Sequence, residues 1–379
     1  MYTIAMRSTG KFVLIFTTIF VLLYVLFKHK SGYAIPRKLR KYLMYEELPV
    51  SGEPEINALK IKINELNMKR EIRNWKKFGP PVRETVTIMV QVHKDIRGLQ
   101  YLIISLAQVR YIESVLLVFS HSYFSEYTNR LIASIDFCKV LQIFYPHSVQ
   151  LHPKNFPGVD PEDCIDGSPT ASTLQHCQRR NATETERKHH WWWKANFIFE
   201  RMQWSASYTG TVIFLEEDQY VAPDLLHMLQ YVQRSLSYFP DVEIMSLGTM
   251  YAKNLDPHLL TLEYWRPPFD VGVAFNKTTW RKINDLSSFY CMYDDCSWSY
   301  SLLNVFKNFP RGDVNMVACV APRVITTKQF YNPGHAGLEL SGVFANLDLF
   351  PEKVNAIYLF GVSGRVQFNV KAPPRGNGG

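Results

Sequence analysis

The sequence predicts a mixed α/β fold built around an open, largely parallel sheet. Between residues 85 and 145, strand and helix patterns alternate in the order β-α-β-α-β, which is typical of a Rossmann-like half with right-handed crossovers. Val212–Leu215 is a further apolar run of the kind that forms a buried parallel strand. Three acids follow it at once, Glu216, Glu217 and Asp218. Because ligands bind beyond the carboxyl ends of strands in such sheets, we expect these acids at a binding edge.

The start of the chain predicts a membrane anchor. Residues 12–27 are 16 consecutive uncharged, mostly apolar positions with basic residues on both sides. A helix of that length spans roughly 24 Å against ~30 Å of hydrocarbon, a gap that thin membranes and snorkelling lysines accommodate. A signal peptide is the alternative, but no small-residue cleavage site follows Phe27. We therefore expect a short cytoplasmic tail (1–11), a signal anchor (12–27), a stem (28–83) and the α/β domain (84–379).

The net charge of +8 does not indicate a nucleic-acid-binding protein. Residues 28–77 hold 13 Lys/Arg against 6 Asp/Glu, a net of +7, and Arg7 and Lys11 lie beside the predicted anchor. The rest of the chain therefore sums to about −1, so the α/β domain has no net basic charge for nucleic acid. We expect the basic stem to lie near a membrane surface or to be solvated.

The stem contains one amphipathic helical pattern. Ile56, Leu59, Ile63 and Leu66 fall on a single stripe, and Gly79-Pro-Pro ends the segment. Only about two heptads are present, which is short for a coiled coil. We expect this helix to pack against the α/β domain.

The first strand of the α/β domain is predicted over Thr85–Val92, where apolar residues alternate. Gln91, Val92 and His93 fall at its carboxyl end, where a nucleotide would bind. No Gly-x-Gly-x-x-Gly follows, which argues against a dinucleotide site. The next predicted elements are helix Ile96–Val109, strand Val115–Phe119, helix Ser125–Ser134 and strand Val140–Tyr145.

Residues 146–186 are rich in proline and predict a long loop. The tract Lys188–Lys194, which reads KHHWWWK, follows the loop, and a helix over Lys194–Trp204 is expected to lead to the acidic strand. The adjacent side chains of His189 and His190 diverge on a helix, so they do not indicate a zinc site. The three tryptophans either fill a core or present flat apolar faces to a sugar.

Beyond the acids, a helix is predicted over Leu225–Leu236, with Pro223 well placed near its start. Asp294 and Asp295 come shortly before Trp298. Paired acids there either take a proton from a sugar hydroxyl or stabilise a helix N-terminus. The remaining predicted elements are strand Val242–Leu247, strand Val271–Phe275, helix Thr278–Leu286 and strand Val314–Val324, with His335 in a later loop.

The three acids at the predicted binding edge have two interpretations. They form either a solvated acidic turn or a site in which a cation compensates them, since neighbouring carboxylates repel one another. Mg²⁺ and Mn²⁺ are usually held by one or two carboxylates together with substrate phosphates. The second interpretation therefore predicts a divalent ion at a nucleotide diphosphate.

Several motifs resemble one known family. The acidic stretch Phe214-Leu-Glu-Glu-Asp-Gln-Tyr-Val-Ala-Pro-Asp224 is similar to the metal-binding motif of the alpha-1,6-mannosyl-glycoprotein 2-beta-N-acetylglucosaminyltransferase (GlcNAc-transferase II) family. The similarity extends over roughly residues 50 to 376. It includes Val90–His93, Ser120-His121, Asp136–Cys138, Phe156–Gly158, Lys188–Lys194, Ser246–Thr249, Tyr293–Asp295 and Pro373–Arg375.

This resemblance implies a GT-A glycosyltransferase fold. It also implies an inverting, Mn²⁺-dependent transfer of GlcNAc from UDP-GlcNAc to the alpha-1,6-linked mannose of N-glycans on glycoproteins. The implied nucleotide-sugar-binding residues are Gln91, Val92, His93, Lys188, His189, His190 and Glu217. The implied metal ligands are Asp218 and His335. The base would be Asp295, with Asp294 second.

The resemblance further implies a type II, single-pass protein of the Golgi membrane with a lumenal catalytic domain. Asn181 and Asn276 stand in Asn-x-Thr sequences and are candidate glycosylation sites there. In an oxidising lumen we expect Cys164 and Cys177 to pair, closing a loop worth roughly 3 kcal/mol. The family has a cysteine pair at the matching place.

The chain departs from the family pattern at the places that matter most for chemistry. Ser299 stands where the family has its presumed catalytic Asp, and a serine hydroxyl needs an activating partner. His335 matches the family's metal-binding His only after an apparent insertion. Ser122 and Asp95 replace an Asp and an Arg of the nucleotide site. A catalytically impaired UDP- or glycan-binding paralogue, or a transferase with a different acceptor, is therefore the alternative hypothesis.

Overall fold

A computed structural model describes residues 35–44, 55–160, 180–202, 205–248, 256–267, 269–294, 296–327, 344, 347–359 and 365–371. The predicted anchor, residues 12–27, lies outside these ranges. None of the helices within them is long and apolar enough to cross a membrane.

Most strands of the described chain join one mixed sheet. The helices are Ile56–Lys69 (α1), Trp75–Phe78 (α2), Ile96–Leu106 (α3), Glu126–Ala133 (α4), Ala182–Asn196 (α5), Leu225–Ser235 (α6), Lys277–Asp285 (α7), Ser287–Cys291 (α8) and Trp298–Lys307 (α9). The strands are Ile72–Arg73 (β1), Thr87–Val92 (β2), Leu116–His121 (β3), Lys139–Phe144 (β4), Thr211–Glu216 (β5), Gln219–Val221 (β6), Val242–Ser246 (β7), Leu259–Tyr264 (β8), Val273–Asn276 (β9), Asn315–Cys319 (β10), Val324–Thr326 (β11), Lys353–Leu359 (β12) and Arg365–Lys371 (β13).

The main sheet has 11 strands in the order β1-β4-β3-β2-β5-β9-β7-β10-β8-β12-β13. Strands β4, β3, β2 and β5 are mutually parallel, which confirms the predicted Rossmann-like half. Strand β9 runs antiparallel to both of its neighbours, β5 and β7. The start of β9 therefore lies at the same edge of the sheet as the carboxyl ends of β2 and β5.

Helices cover both faces of this sheet because its strands are apolar on both sides. Ile88 and Val90 of β2 pack with α3 and α6 on one face, whereas Met89 packs with α5, α7 and α9 on the other. Both faces are buried, as the continuous apolar pattern of the central strands predicts.

The stem helix α1 packs against the domain, as predicted. Leu59 and Ile63 are buried on Phe124, Phe144 and Leu151. Strand β1, which follows α1, pairs antiparallel with β4 and forms one edge of the sheet.

Two predicted elements are wrong in their bounds. The helix expected to start at Lys194 begins at Ala182, because the Asn181 side chain accepts hydrogen bonds from the backbone N–H groups of Thr183 and Glu184 and caps it. The single strand expected over Val314–Val324 is two strands, β10 and β11, which belong to different sheets.

Candidate active site

The predicted nucleotide-binding residues meet at the carboxyl ends of β2 and β5. Gln91 of β2 lies directly beside Glu216 of β5 in the parallel register. His93 and Glu217 follow these two residues at the edge. Gln91, Val92, His93 and Glu217 therefore lie together at one edge of the sheet.

Glu217 holds the turn between β2 and α3. One carboxylate oxygen accepts the backbone N–H of His93 at 2.7 Å, and the other accepts those of Lys94 and Asp95 at 3.1 and 2.9 Å. Burial raises the pKa of Glu217 to about 7, and these hydrogen bonds oppose that shift. The Glu217 side chain therefore shapes the turn that carries His93.

The first turn of α3 approaches this acidic turn closely. A Cβ atom on Gly98 would lie 2.8 Å from the backbone oxygen of Glu217, so only glycine fits there. Asp95 caps the helix by accepting the Gly98 N–H at 2.9 Å. Asp95, one of the departures from the family, thus has a structural role.

A histidine pair links β2, β3 and α5. His93 contacts the Ser122 hydroxyl at 2.7 Å and the Gln91 amide at 3.0 Å. His190, fully buried in α5, contacts the Ser120 hydroxyl at 2.7 Å. The two imidazole centroids are 5.6 Å apart, and burial holds the pKa of His190 well below its usual range. His190 is therefore a neutral residue of the wall behind His93.

Lys188 and His189 differ in their surroundings although both lie on α5. Lys188 is fully buried, and its ammonium donates to the backbone carbonyls of Asp294 and, at 3.4 Å, Cys291. His189 is only partly buried. The predicted diphosphate-binding lysine thus contacts the segment that also carries the predicted base.

The carboxylate of Asp294 organises its own turn. Its Oδ1 accepts the backbone N–H groups of Cys296 and Ser297 at 2.9 and 3.0 Å. This is the helix-start interpretation that the sequence left open beside proton abstraction. Asp295 and His335 lie outside the described residues.

Glu216 faces a buried lysine and an indole. Trp298 donates its ring N–H to Glu216 at 3.0 Å and stacks on Trp191 at 4.8 Å between centroids. Lys194 is fully buried, and its ammonium has no hydrogen-bond partner within the described ranges. Burial lowers the pKa of Lys194 to about 7. Burial, Asp218 and Asp270 all raise the pKa of Glu216.

Asp218 follows this cluster in the turn between β5 and β6. Its backbone oxygen accepts the N–H and hydroxyl of Thr327 at 2.6 and 2.8 Å, which fixes the turn to β11. Among the described residues, no group of three potential ligands surrounds a common point. The donor chemistry nevertheless fits a hard divalent ion, since Asp218 is an anionic oxygen ligand beside another carboxylate and the remaining positions suit phosphate oxygens and water.

The cysteines and sequons bear on the predicted lumenal chemistry. Cys138, Cys291 and Cys319 are free, and Cys296 is disulfide-bonded. Cys164 and Cys177 lie outside the described residues. A bond from Cys296 to either of them would exclude the predicted Cys164–Cys177 pair, a question that peptide mapping under non-reducing conditions answers.

Both Asn-x-Thr sequences begin helices. Asn181 caps α5, and the Asn276 side chain accepts the backbone N–H groups of Thr278 and Thr279 to cap α7. An asparagine followed by threonine is also a common helix start, which gives both positions a structural explanation beside the predicted glycosylation.

The sequence places Glu216 only within the cluster of three acids and Lys194 only at the end of the tryptophan tract, and it indicates no role for Asp270. Trp298 was noted only as a neighbour of the paired acids. The sequence gives little indication of these residues, because each is in contact or in electrostatic interaction with residues far along the chain. The one available clue was a lysine on the apolar side of a tryptophan-rich helix, which predicts a buried cation.

The protein is of the mixed α/β class. Its sheet places carboxylates at the carboxyl ends of parallel strands, which is where such sheets bind nucleotides. The family model described as N-acetylglucosaminyltransferase II (MGAT2) matches residues 60–342. The chain belongs to this glycosyltransferase family, which confirms the resemblance seen in the sequence.

The curated relatives carry the name alpha-1,6-mannosyl-glycoprotein 2-beta-N-acetylglucosaminyltransferase. The Sus scrofa protein is 33% identical over 66% of this chain and 60% of its own length. The Rattus norvegicus protein is 30% identical over 88% of this chain and 80% of its own length. The matched region thus spans between three fifths and four fifths of these relatives.

Solved structures show weaker likeness. The mannosyltransferase PcManGT from Pyrobaculum calidifontis, in complex with GDP-Man and Mn2+, is 13% identical with a TM-score of 0.37 over 74% of this chain and 68% of its own. S. aureus TarS 1-349 is 10% identical with a TM-score of 0.38 over 70% of this chain and 66% of its own. Likeness of this degree carries no argument about function.

Proposed function

We propose that this protein is an inverting GT-A glycosyltransferase that transfers GlcNAc from UDP-GlcNAc to O2 of the alpha-1,6-linked mannose of N-glycans. One observation carries the proposal. The residues matching the family's donor site, Gln91, His93 and Glu217, converge at the carboxyl edge of β2 and β5, with Asp218 one residue further on. This is the edge at which open α/β sheets bind nucleotides.

Each donor-site residue has a role that follows from its position. Glu217 fixes the turn that presents His93 to the nucleotide, and His190 supports His93 from behind. Lys188 places its positive charge beside the loop of Asp294. Asp218, with His335 as the second candidate, would hold a divalent ion. When bound, that ion would supply positive charge to the diphosphate leaving group.

The experiment is a transfer assay with the full chain, UDP-GlcNAc, Mn²⁺ and a mannose-terminated biantennary acceptor. Asp218→Asn should abolish metal-dependent UDP binding in calorimetry and reduce transfer by at least about 100-fold. Asp241→Asn is the matched control. Asp241 is the exposed ion-pair partner of Arg311 and directly precedes β7, at the end of that strand away from the donor-site residues. UDP binding that needs no metal and survives Asp218→Asn would contradict the proposed metal site.

A catalytically impaired, UDP-binding paralogue is the second candidate function. Ser299 favours it, because the hydroxyl occupies the position of the family's presumed base. This candidate predicts normal metal-dependent UDP binding with no transfer to any mannose-terminated acceptor.

We also propose that residues 12–27 anchor the protein in the Golgi membrane with the catalytic domain in the lumen. The apolar run and the two Asn-x-Thr sequences support this topology. Endoglycosidase treatment should shift the mobility of the expressed protein. Cleavage of its C-terminal region by protease added outside sealed microsomes would contradict the topology.

A further inference from the structure

A second carboxylate lies against the position where the family's presumed base is replaced. Ser299 is buried in the first turn of α9, and its hydroxyl lies close enough to the side chain of Asp270 to lower the pKa of that carboxyl group. The Ser297 hydroxyl is 3.2 Å from that of Ser299. The family pattern has a carboxylate at the start of α9. In this protein a carboxylate lies beside that position, but it belongs to a different segment of the chain.

Asp270 lies at the donor edge of the sheet. It comes three residues before β9, and Val273, the first residue of β9, pairs with Phe214 of β5. Continuing β9 backwards from that pair leads past the end of β5, where Glu216 stands. The proximity is also electrostatic, because the charge of Asp270 raises the pKa of Glu216.

The backbone on both sides of Asp270 is fixed. The carbonyl of Phe269 accepts the Trp265 ring N–H at 3.1 Å and the Ser246 hydroxyl at 3.3 Å. The Ser246 hydroxyl also lies 3.4 Å from the Val271 carbonyl. A carboxylate on such a constrained segment is suited to a single working position.

Asp294 has a different environment. Its Oδ1 already accepts two backbone N–H groups, so moving it toward an acceptor would break the turn that starts α9. Asp270 lies near the Ser299 hydroxyl instead, and burial raises the pKa of its carboxyl group while the nearby hydroxyl opposes the shift. A raised pKa makes a carboxylate a stronger base.

We propose that Asp270 is the general base of the transfer and that the Ser299 hydroxyl orients its carboxylate. The acceptor O–H proton passes to an oxygen of Asp270 as the acceptor oxygen bonds to the anomeric carbon of the donor. The bond from that carbon to the diphosphate oxygen breaks, and its electron pair leaves with UDP. Charge and atoms balance without a further reactant. This inference rests on the proposed transferase function.

The test compares variants of the full chain in the transfer assay and in UDP calorimetry. Asp270→Asn should lower kcat by about 100- to 10,000-fold, while UDP affinity stays within about twofold. Ser299→Ala should lower kcat by about tenfold, because the carboxylate is kept and only its orientation is lost. Asp241→Asn is the isosteric control and should leave kcat unchanged.

Relocating the carboxylate separates a chemical role from a structural one. The double variant Asp270→Asn with Ser299→Asp returns an acid to the place where the family pattern has one. It should recover at least about tenfold of the kcat lost in Asp270→Asn. A residue that only supported the fold would show no such rescue. Thermal unfolding of each variant is the check that the fold is retained.

The outcomes are distinguishable. Transfer by Asp270→Asn within about fivefold of wild type overturns the assignment, and a large loss in Asp295→Asn with none in Asp270→Asn returns the role to Asp295. A wild-type protein that binds UDP but transfers no GlcNAc refutes the proposed function, and the base assignment with it.

Discussion

Asp224 and Glu216, two acids near the β5–β6 turn, differ in the groups that compensate their charge. Asp224 is fully buried against the equally buried Arg323, whose Nε lies 2.9 and 3.1 Å from the two carboxylate oxygens, and the backbone N–H of Phe350 adds a third hydrogen bond. Among the described residues, the Trp298 indole is the one side-chain hydrogen-bond donor to the Glu216 carboxylate. Asp218 and Asp270 add like charge near it, and Lys194 opposes them.

The fold therefore compensates the charges of these two acids unequally. The structural acid Asp224 is neutralised within the protein. Glu216 at the sheet edge lies instead near the like charges of Asp218 and Asp270, an arrangement that is common at functional sites.

Breaking the structural pair should cost the most stability. Arg323→Met leaves Asp224 buried without its cation and should lower the free energy of unfolding by about 3–5 kcal/mol. Urea denaturation measures the loss. The double variant Asp224→Leu with Arg323→Met should lose less than Arg323→Met alone, and an equal loss would show that packing, not charge, is responsible.

The buried Lys194 should make the free energy of unfolding depend on pH. Its folded-state pKa of about 7 lies below the ~10.4 of an exposed lysine, so the unfolded chain binds more protons between those values. The free energy of unfolding should therefore rise with pH from about 7 to about 10, by up to about 1.4 kcal/mol per pH unit.

Lys194→Met should remove this rise, as denaturation at pH 7, 8 and 9 would show. Lys277→Met is a useful comparison, because Lys277 is also buried but has the Phe199 carbonyl at 2.6 Å and Glu200 at 3.3 Å as partners. A profile for Lys194→Met as steep as that of the wild type would contradict the assignment.

Trp298→Phe should separate hydrogen bonding from ring stacking at Glu216. The phenyl ring keeps an aromatic contact with Trp191 but cannot donate to the Glu216 carboxylate. We expect a loss of about 1–2 kcal/mol in stability, measured by thermal unfolding. Trp192→Phe, which also changes a tryptophan of the aromatic cluster but no bond to Glu216, serves as the control.

Removing an exposed ion pair should have the smallest effect. The Lys41 ammonium lies 2.8 Å from Asp136, and both side chains are about half or more exposed. Lys41 holds the pKa of Asp136 below its usual range, so the pair's contribution is present at neutral pH and is lost as pH falls. Asp136→Asn should cost less than about 1 kcal/mol at pH 7, and a loss near that of Arg323→Met would erase the contrast.

The strands were unequally predictable from the sequence. Strands β2 to β5 are buried on both faces, and each is an apolar run or alternation that strand patterns identify within two residues. Strands β6 and β11 have three residues each, and β8 is half polar. Their existence depends on partners distant in the chain, such as Tyr220 beside Ile325, and no local pattern carries that information.

The candidate site was predictable from the sequence only in part. His93 and Glu217 were predicted because motif resemblance marks positions at strand ends. Asp270 was not, because its significance depends on the Ser299 hydroxyl, 29 residues later and on a different element. Residues whose role is created by tertiary contact are invisible to a pattern that reads only neighbours.

The pairing of β1 with β4 has a practical consequence for anyone purifying this protein. A fragment cut at residue 84 would strip β1 from the sheet and leave the backbone N–H and C=O groups of β4 as an open edge, a template for intermolecular association. It would also remove α1 from the apolar surface of Phe124 and Phe144. A fragment beginning at residue 35 keeps both coverings, so the choice of cloning boundary should decide between a soluble preparation and an aggregate.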